Sequence, residues 1–289
     1  YKGTGVQTCA LPICILRVAR FAARFAPLGF RIAPETLALM RSMVDAGEVD
    51  ALVAERVWRE LERALDEPAP RAALETLRAC DALRVVLPEV DALFGVPQRA
   101  EWHPEIDTGE HLLLTLDVAA TRAAPGIVRY ALLAHDLGKA LTPRDEWPRH
   151  HGHETRGLAA IESLSDRLRV PQEHRELALL AGRFHTHVHR GLELRASTLL
   201  EFFEAADAFR RPARFDALLE TCECDARGRL GFETRPYPQR ARVAAAHTAA
   251  LGVTLDAAER TGLAGPAIGA KLRLKRLAAI EAAARGAAS

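Results

Sequence analysis

The stretch Ala131-Leu132-Leu133-Ala134-His135-Asp136-Leu137-Gly138-Lys139 runs apolar and then ends on an adjacent histidine and aspartate. Such a run belongs in a core helix, and the polar pair then stands where that helix meets chemistry. Ten of the eleven histidines fall between His103 and His189, under a third of the chain, so the pair lies inside a concentration of imidazoles. A metal centre around His135 and Asp136 is the first expectation.

The pattern on either side is helical. From Ile15, the residues Leu16, Ala19, Ala23 and Ala26 share one face, while Arg17, Arg20, Arg24 and Arg31 carry the charge, and no acidic residue occurs before Glu35. Ala33-Pro34-Glu35 fits a helix start with proline in the first turn, running to Gly47. Residues 55–65 give a helix with Val57, Trp58, Leu61 and Leu65 inward, ended by Pro68 and Pro70. Residues 71–83 give another, and a short one starts at Leu87-Pro88-Glu89. Residues 96–108 form a loop, broken by Pro97 and Pro104. Helices are expected over 109–121, 127–137, 154–168, 172–187, 197–208 and 212–224, then an irregular segment over 226–240 and weaker helices to the end, the last over 267–285. Runs of alternating β-branched residues are absent, so the fold class is all-α, built of short antiparallel helices.

Composition sets limits. Net charge is +1, so no global field draws the chain to nucleic acid and any basic surface is local. Five cysteines (Cys9, Cys14, Cys80, Cys222 and Cys224) make an odd set without framework spacing, which points to a reducing compartment. Cys222-Glu223-Cys224 is either a weak metal hint or small residues on a helix. No apolar run approaches a membrane span and no signal peptide is legible, so the cytoplasm is the default location. Thr4-Gly5-Val6-Gln7-Thr8-Cys9-Ala10-Leu11-Pro12-Ile13 reads as the translation of a short-read sequencing adapter, and residues 1–14 are set aside on that ground. The natural protein would then begin earlier.

Imidazole and carboxylate together hold divalent transition metals and bring a bound water's pKa into the physiological range. The candidate ligands are His111, His135, Asp136, His153, His185 and Asp225, each on or beside an expected helix. His135 and Asp136 diverge by roughly 100° around a helix and flank a single metal only at its end. The remaining histidines read otherwise. His150 and His151 line a polar loop or contact phosphate, His187 and His189 are solvated at a helix end, and His103, His174 and His247 are structural or on the surface.

A first His, then His-Asp, then a distant Asp resembles the HD-type metal-dependent phosphohydrolases, with His111, His135-Asp136 and Asp225 in those places. His153 and His185 fall where binuclear members add two histidines. The resemblance extends to bacterial CCA-adding tRNA nucleotidyltransferases of the multifunctional form. It is carried by Ile15 to Phe25, Glu55-Arg56-Val57-Trp58-Arg59-Glu60-Leu61, Leu87-Pro88-Glu89-Val90, Trp102-His103-Pro104-Glu105-Ile106-Asp107-Thr108-Gly109, Trp147-Pro148-Arg149-His150-His151-Gly152-His153 and Asp225-Ala226-Arg227-Gly228-Arg229. It covers residues 15–255. It implies a tRNA-contacting helical neck and body over 15–95, an HD phosphohydrolase domain over 96–230 and a helical tail over 231–289. It implies hydrolysis of 2′,3′-cyclic phosphates, 2′-nucleotides and phosphate monoesters with nickel or manganese. From the residues themselves, Lys139 is a cation for phosphate or an exposed helix-end lysine, one of His150 and His151 contacts phosphate or both line a polar loop, and Arg227 and Arg229 buttress the site or bind an anion. Arg17, Arg20, Arg24 and Arg31 would face tRNA or nucleotide, and the tail cluster Lys271, Arg273, Lys275 and Arg276 either touches RNA or is solvated.

The family's nucleotidyltransferase head, which uses Mg²⁺ with CTP and ATP, is expected to be missing here, and CCA addition with it. One departure stands out: the family often has Asp after the histidine at 185, and this chain has Thr186. If that carboxylate positions metal or water, activity is weakened; if His185 alone is the ligand, little changes. The expected partners are tRNA and a nucleotide or cyclic phosphate, with no membrane and a possible homo-oligomer. Rival readings are a non-catalytic tRNA-binding body with a bracing metal and a stand-alone HD nucleotidase.

Overall fold

Regular secondary structure is entirely helical in the computed structural model, which describes residues 12–286; one isolated bridge joins Pro97 to Asp107. The adapter-like stretch up to residue 11, with Cys9, lies outside the described residues. In chain order the α-helices are α1 (Ile13–Phe25), α2 (Pro34–Asp45), α3 (Ala54–Asp66), α4 (Pro70–Ala79), α5 (Leu83–Val86), α6 (Pro88–Asp91), α7 (Thr108–Thr121) and α8 (Gly126–Ala134). They continue as α9 (Leu137–Ala140), α10 (His153–Arg167), α11 (Gln172–His189), α12 (Ala196–Ala205), α13 (Pro212–Arg227), α14 (Pro238–Leu251), α15 (Ala257–Arg260) and α16 (Gly265–Gly286). No described helix is long and apolar enough to cross a membrane.

Helix α8 has no polar stripe, and a helix apolar on every face has to be central. Val128 and the whole of Tyr130 to Ala134 are buried, with α3, α7, α11 and α13 packed around them. Each of Leu132 and Leu133 contributes about 1.5–3 kcal/mol by leaving water. Arg129 breaks the apolar run and is buried too. Its guanidinium donates to the carbonyls of Ala124 (2.8 Å), Leu65 (2.7 Å) and Glu67 (3.0 Å), closing the C-terminal end of α3 against α8. Helix α3 turns Val57, Trp58, Leu61 and Leu65 inward as its periodicity requires, and Trp58 meets Tyr130 edge-on at 5.2 Å. Arg71 at the start of α4 binds Glu110 (2.8 Å) and Asp117 (2.7 Å) on α7. One apolar cluster therefore runs from α1 to α16.

The expected helix over 127–137 is corrected at its end. Helix α8 stops at Ala134, and the chain turns through His135 and Asp136 (φ −104°, ψ 10°) before α9 begins. The reason lies in Gly138. A Cβ there would meet the His153 carbonyl oxygen at 1.9 Å and Gly157 N at 2.7 Å. Glycines on both helices let the backbones of α9 and α10 touch, and that contact draws the chain off the axis of α8. The close approach also sets Asp136 beside His153.

Candidate metal centre

Four helices and one turn deliver side chains to a shared buried region. Helix α7 begins under an Asp107 cap, whose carboxylate accepts from Glu110 N, and carries His111 on its inner face. The α8–α9 turn carries His135 and Asp136. Helix α10 opens with His153, α11 brings His185, and α13 brings Asp225. All six expected ligands meet, in two groups: His111, His135 and Asp225 form one triad, and Asp136, His153 and His185 form the other. The adjacent His135 and Asp136 thus fall in different triads, yet His135 Nε2 stays 3.3 Å from Asp136 Oδ2, so the two groups adjoin.

The hydrogen bonds behind the rings aim them. Nδ1 of His135, His153 and His185 lies 2.8, 2.8 and 2.9 Å from the carbonyls of Leu132, His150 and Ala181. A carbonyl only accepts, so each Nδ1 carries the proton and each Nε2 turns a lone pair inward. In the second triad Asp136 Oδ1 stands 3.4 Å from His153 Nε2 and 3.7 Å from His185 Nε2, and the two Nε2 atoms are 3.2 Å apart. Donors held about 2.1 Å from one tetrahedral ion would be about 3.4 Å from each other. In the first triad His111 Nε2 lies 2.9 Å from Asp225 Oδ1, and His135 Nε2 lies 3.8 Å from Asp225 Oδ2. His135 Nε2 and Asp136 Oδ1 are buried without a hydrogen-bond partner. Converging lone pairs and orphaned acceptors repel unless a cation joins them, so the residues fit a divalent metal in each triad.

Burial opposes charge on His135, but Asp136 and Asp225 outweigh it and push its pKa up to about 9, so without a metal Nε2 carries a proton that a bound cation would displace to free the lone pair. Burial also opposes ionised carboxylates. Lys139 and His135 nevertheless hold Asp136 well below the usual range, and His189, His111 and His135 do the same for Asp225. Burial keeps His185 neutral, as a ligand requires.

Several side chains stand elsewhere than expected. His189 is not solvated: its Nε2 lies 2.6 Å from Asp225 Oδ2 and its Nδ1 lies 2.7 Å from the Tyr237 hydroxyl. Its place could have been seen, since His185 and His189 are four apart and share a helix face. His187 is half-buried against Phe184 and Phe202. His103, expected to be structural or on the surface, borders the first triad, with its ring 4.5 Å from that of His111. Between these two rings sits Glu105, a buried carboxylate to which no role had been assigned; its loop gives no periodicity by which to find it. Its Oε1 lies 3.0 Å from His103 Nδ1 and 2.9 Å from His111 Nδ1, the latter at a poor angle for a hydrogen bond.

Lys139 is buried, with Nζ 2.6 Å from Asp136 Oδ2 and 2.5 Å from Gln98 Oε1. His150 uses Nε2 on the Pro97 carbonyl at 2.8 Å, while His151 is exposed. Arg227 is spent on Glu223 (2.9 Å), whereas half-buried Arg229 has no carboxylate partner among the described residues. Cys222 and Cys224 are buried, their thiol pKa values raised first by burial, and Glu223 between them is held by Arg122, Arg227 and Arg240. The Cys-Glu-Cys hint therefore resolves to packing. Thr186 is half-buried. A groove of about 710 Å³, lined by Glu75, Asp81, Asp91, Asp107 and Glu110 together with Arg78 and Arg84, shares no residue with the triads.

Comparison with known proteins gives the family of the chain. The chain is 55% identical over 271 residues to a multifunctional CCA protein of Pseudomonas fluorescens, matching 94% of this chain and 66% of that one. A second P. fluorescens relative of the same name is 51% identical over 278 residues, with 96% and 68% covered. The chain belongs to the multifunctional CCA protein family. A Thioalkalivibrio sulfidiphilus multifunctional CCA protein is 54% identical over 270 residues, with 93% and 66% covered. The chain spans about two thirds of the length of these CCA protein relatives. A family model described as a probable RNA and SrmB-binding site of polymerase A matches residues 29–94. That match covers α2 to α6, upstream of both triads.

Proposed function

We propose that this chain carries an HD-type, metal-dependent phosphohydrolase acting on 2′,3′-cyclic phosphates, 2′-nucleotides and phosphate monoesters, mounted on a helical body that contacts tRNA. The observation that carries this reading is the pair of buried triads whose imidazole lone pairs are fixed inward from behind. His111, His135 and Asp225 would hold one metal, and Asp136, His153 and His185 the other. When bound, nickel or manganese would lower the pKa of water and polarise a phosphoryl oxygen.

The chain's own residues do the rest. The Leu132, His150 and Ala181 carbonyls fix the imidazole tautomers before substrate arrives, so no reorganisation is needed during reaction. Lys139 spends two of its three donors on Asp136 and Gln98, which leaves one for a phosphoryl oxygen. Arg229, free of carboxylates, is the second cation for developing negative charge. His150 is committed to Pro97, and Arg227 to Glu223, so neither is assigned a phosphate. His185 stands as ligand without a carboxylate at Thr186, because Asp136 already supplies the negative charge to its triad.

For RNA, Arg24 and Arg31 are exposed beside Phe21, Phe25 and Phe30, a set suited to phosphate and base contact. Arg17 and Arg20 are drawn to Glu60, at 3.4 and 3.1 Å, and contribute less. CCA addition itself, with Mg²⁺, CTP and ATP, is assigned to a head separate from these helices.

The test is purified protein with Ni²⁺ or Mn²⁺ and a 2′,3′-cyclic nucleotide. Hydrolysis that disappears in His135→Ala and Asp136→Ala supports the reading. Absence of turnover with either metal, while tRNA still binds, would replace it with a non-catalytic RNA-binding body.

A further inference from the structure

We infer that Glu105 is a positioning residue that orients His111 and tightens the first triad's hold on its metal. This rests on the metal reading proposed above. Three observations carry it. First, Glu105 Oε1 stands 2.9 Å from Nδ1 of His111, on the side of the ring opposite Asp225 and off the line of a hydrogen bond, so a carboxylate charge backs this ligand where hydrogen-bonded carbonyls back the other three imidazoles. A carboxylate behind a ligating imidazole orients it by charge, and a small rotation of the ring on metal binding would bring its far N–H onto that carboxylate.

Second, the carboxylate is itself immobilised. Its side chain is 2% exposed, Oε1 is shared with His103 Nδ1 at 3.0 Å, and Oε2 accepts from Leu230 N at 3.2 Å. Third, the backbone beside it is strained. Ile106 has φ +62°, a left-handed conformation that a β-branched residue rarely adopts. The turn is pinned on both sides: Gln98 N donates to the Ile106 carbonyl at 2.7 Å, and Asp107 N donates to the Glu105 carbonyl at 2.7 Å. Strain kept beside a buried carboxylate aimed at a ligand marks a position the fold maintains for the site.

The two triads are then unequal. The first has a carboxylate reinforcing a ligand. In the second, the Lys139 ammonium lies 2.6 Å from Asp136 Oδ2 and competes with a metal for that carboxylate. The first triad fills at lower metal concentration.

The experiment is calorimetric titration of the metal-stripped full chain with Ni²⁺, paired with Co²⁺ absorption spectra. The wild type shows two binding events of different affinity. In Glu105→Gln, which keeps shape but removes charge, the tighter event weakens about 10- to 100-fold, its Co²⁺ band shifts and the weaker event is unchanged. Circular dichroism of the metal-free protein checks the fold. Glu105→Asp, which withdraws the charge by one methylene, weakens the same event and answers the question should the glutamine variant misfold. Two unchanged events in both variants would overturn the positioning role and leave the metal reading intact. No metal uptake by the wild type would overturn both. A third event lost with Glu105 would make it a ligand and overturn positioning.

Discussion

Substituting Gly138 with alanine tests whether the α9–α10 backbone contact builds the second triad. The added Cβ would lie 1.9 Å from the His153 carbonyl oxygen, where an ordinary carbon–oxygen contact is about 3.3 Å or more. Both obstructing atoms are backbone, so no side chain can swing aside, and the helices must part by about 1.4 Å. A site of this kind tolerates about 0.5 Å. His153 begins α10 and moves with it, away from Asp136, to which it now stands at 3.4 Å. Overpacking costs about 1–3 kcal/mol, which lowers Tm by a few degrees in a chain of this size. A displacement beyond about 1 Å at a reacting centre lowers turnover by about 100-fold. Calorimetric Ni²⁺ titration of Gly138→Ala should therefore lose the event belonging to Asp136, His153 and His185 and keep the other, with hydrolysis of a 2′,3′-cyclic nucleotide falling as stated. If both events and the rate survive, the argument that the glycine contact assembles this triad is wrong.

Further outcomes follow from other features. Arg129→Met leaves the buried Ala124 and Leu65 carbonyls without this donor, at about 1–3 kcal/mol each, and the half-buried Glu67 carbonyl free for water, so urea unfolding should show a loss of about 2 kcal/mol or more; a loss under about 1 kcal/mol would refute the joint between α3 and α8. Burial depresses the pKa of His174 and of His247, so the unfolded chain takes up protons that the folded one refuses. Their stabilisation is present above about pH 6.5 and is lost as pH falls below it, by up to about 1.4 kcal/mol per pH unit per group; His247→Phe should flatten that decline in urea midpoints. Ni²⁺ at about 100 times its Kd should stabilise the fold by about 2.7 kcal/mol per site, read as a rise in Tm that a chelator reverses. Replacing Arg24 and Arg31 together with glutamine should weaken tRNA binding and shallow its salt dependence by about one unit of log–log slope per lost phosphate contact; an unchanged slope would remove this face from the interface.

Sequence by itself determined the helical class and the six candidate ligands that the fold brings together. Apolar residues spaced at the helical period fix which faces turn inward, and α3 obeys that rule at Val57, Trp58, Leu61 and Leu65. Residue type fixes what can bind a metal, so His111, His135, Asp136, His153, His185 and Asp225 could be named before their positions were known. Tertiary structure decided how these six are shared. His111 and Asp225 meet across 114 positions of sequence, and no local pattern encodes such a distance. The break after Ala134 depends on two glycines, Gly138 and Gly157, meeting on neighbouring helices, which periodicity over 127–137 cannot register. Glu105 lies in an aperiodic loop, and its importance comes from the two imidazoles it touches. Charge and pattern are properties of the chain, but a lone pair's direction is set by whichever carbonyl stands behind the ring, and only the packed helices put a carbonyl there.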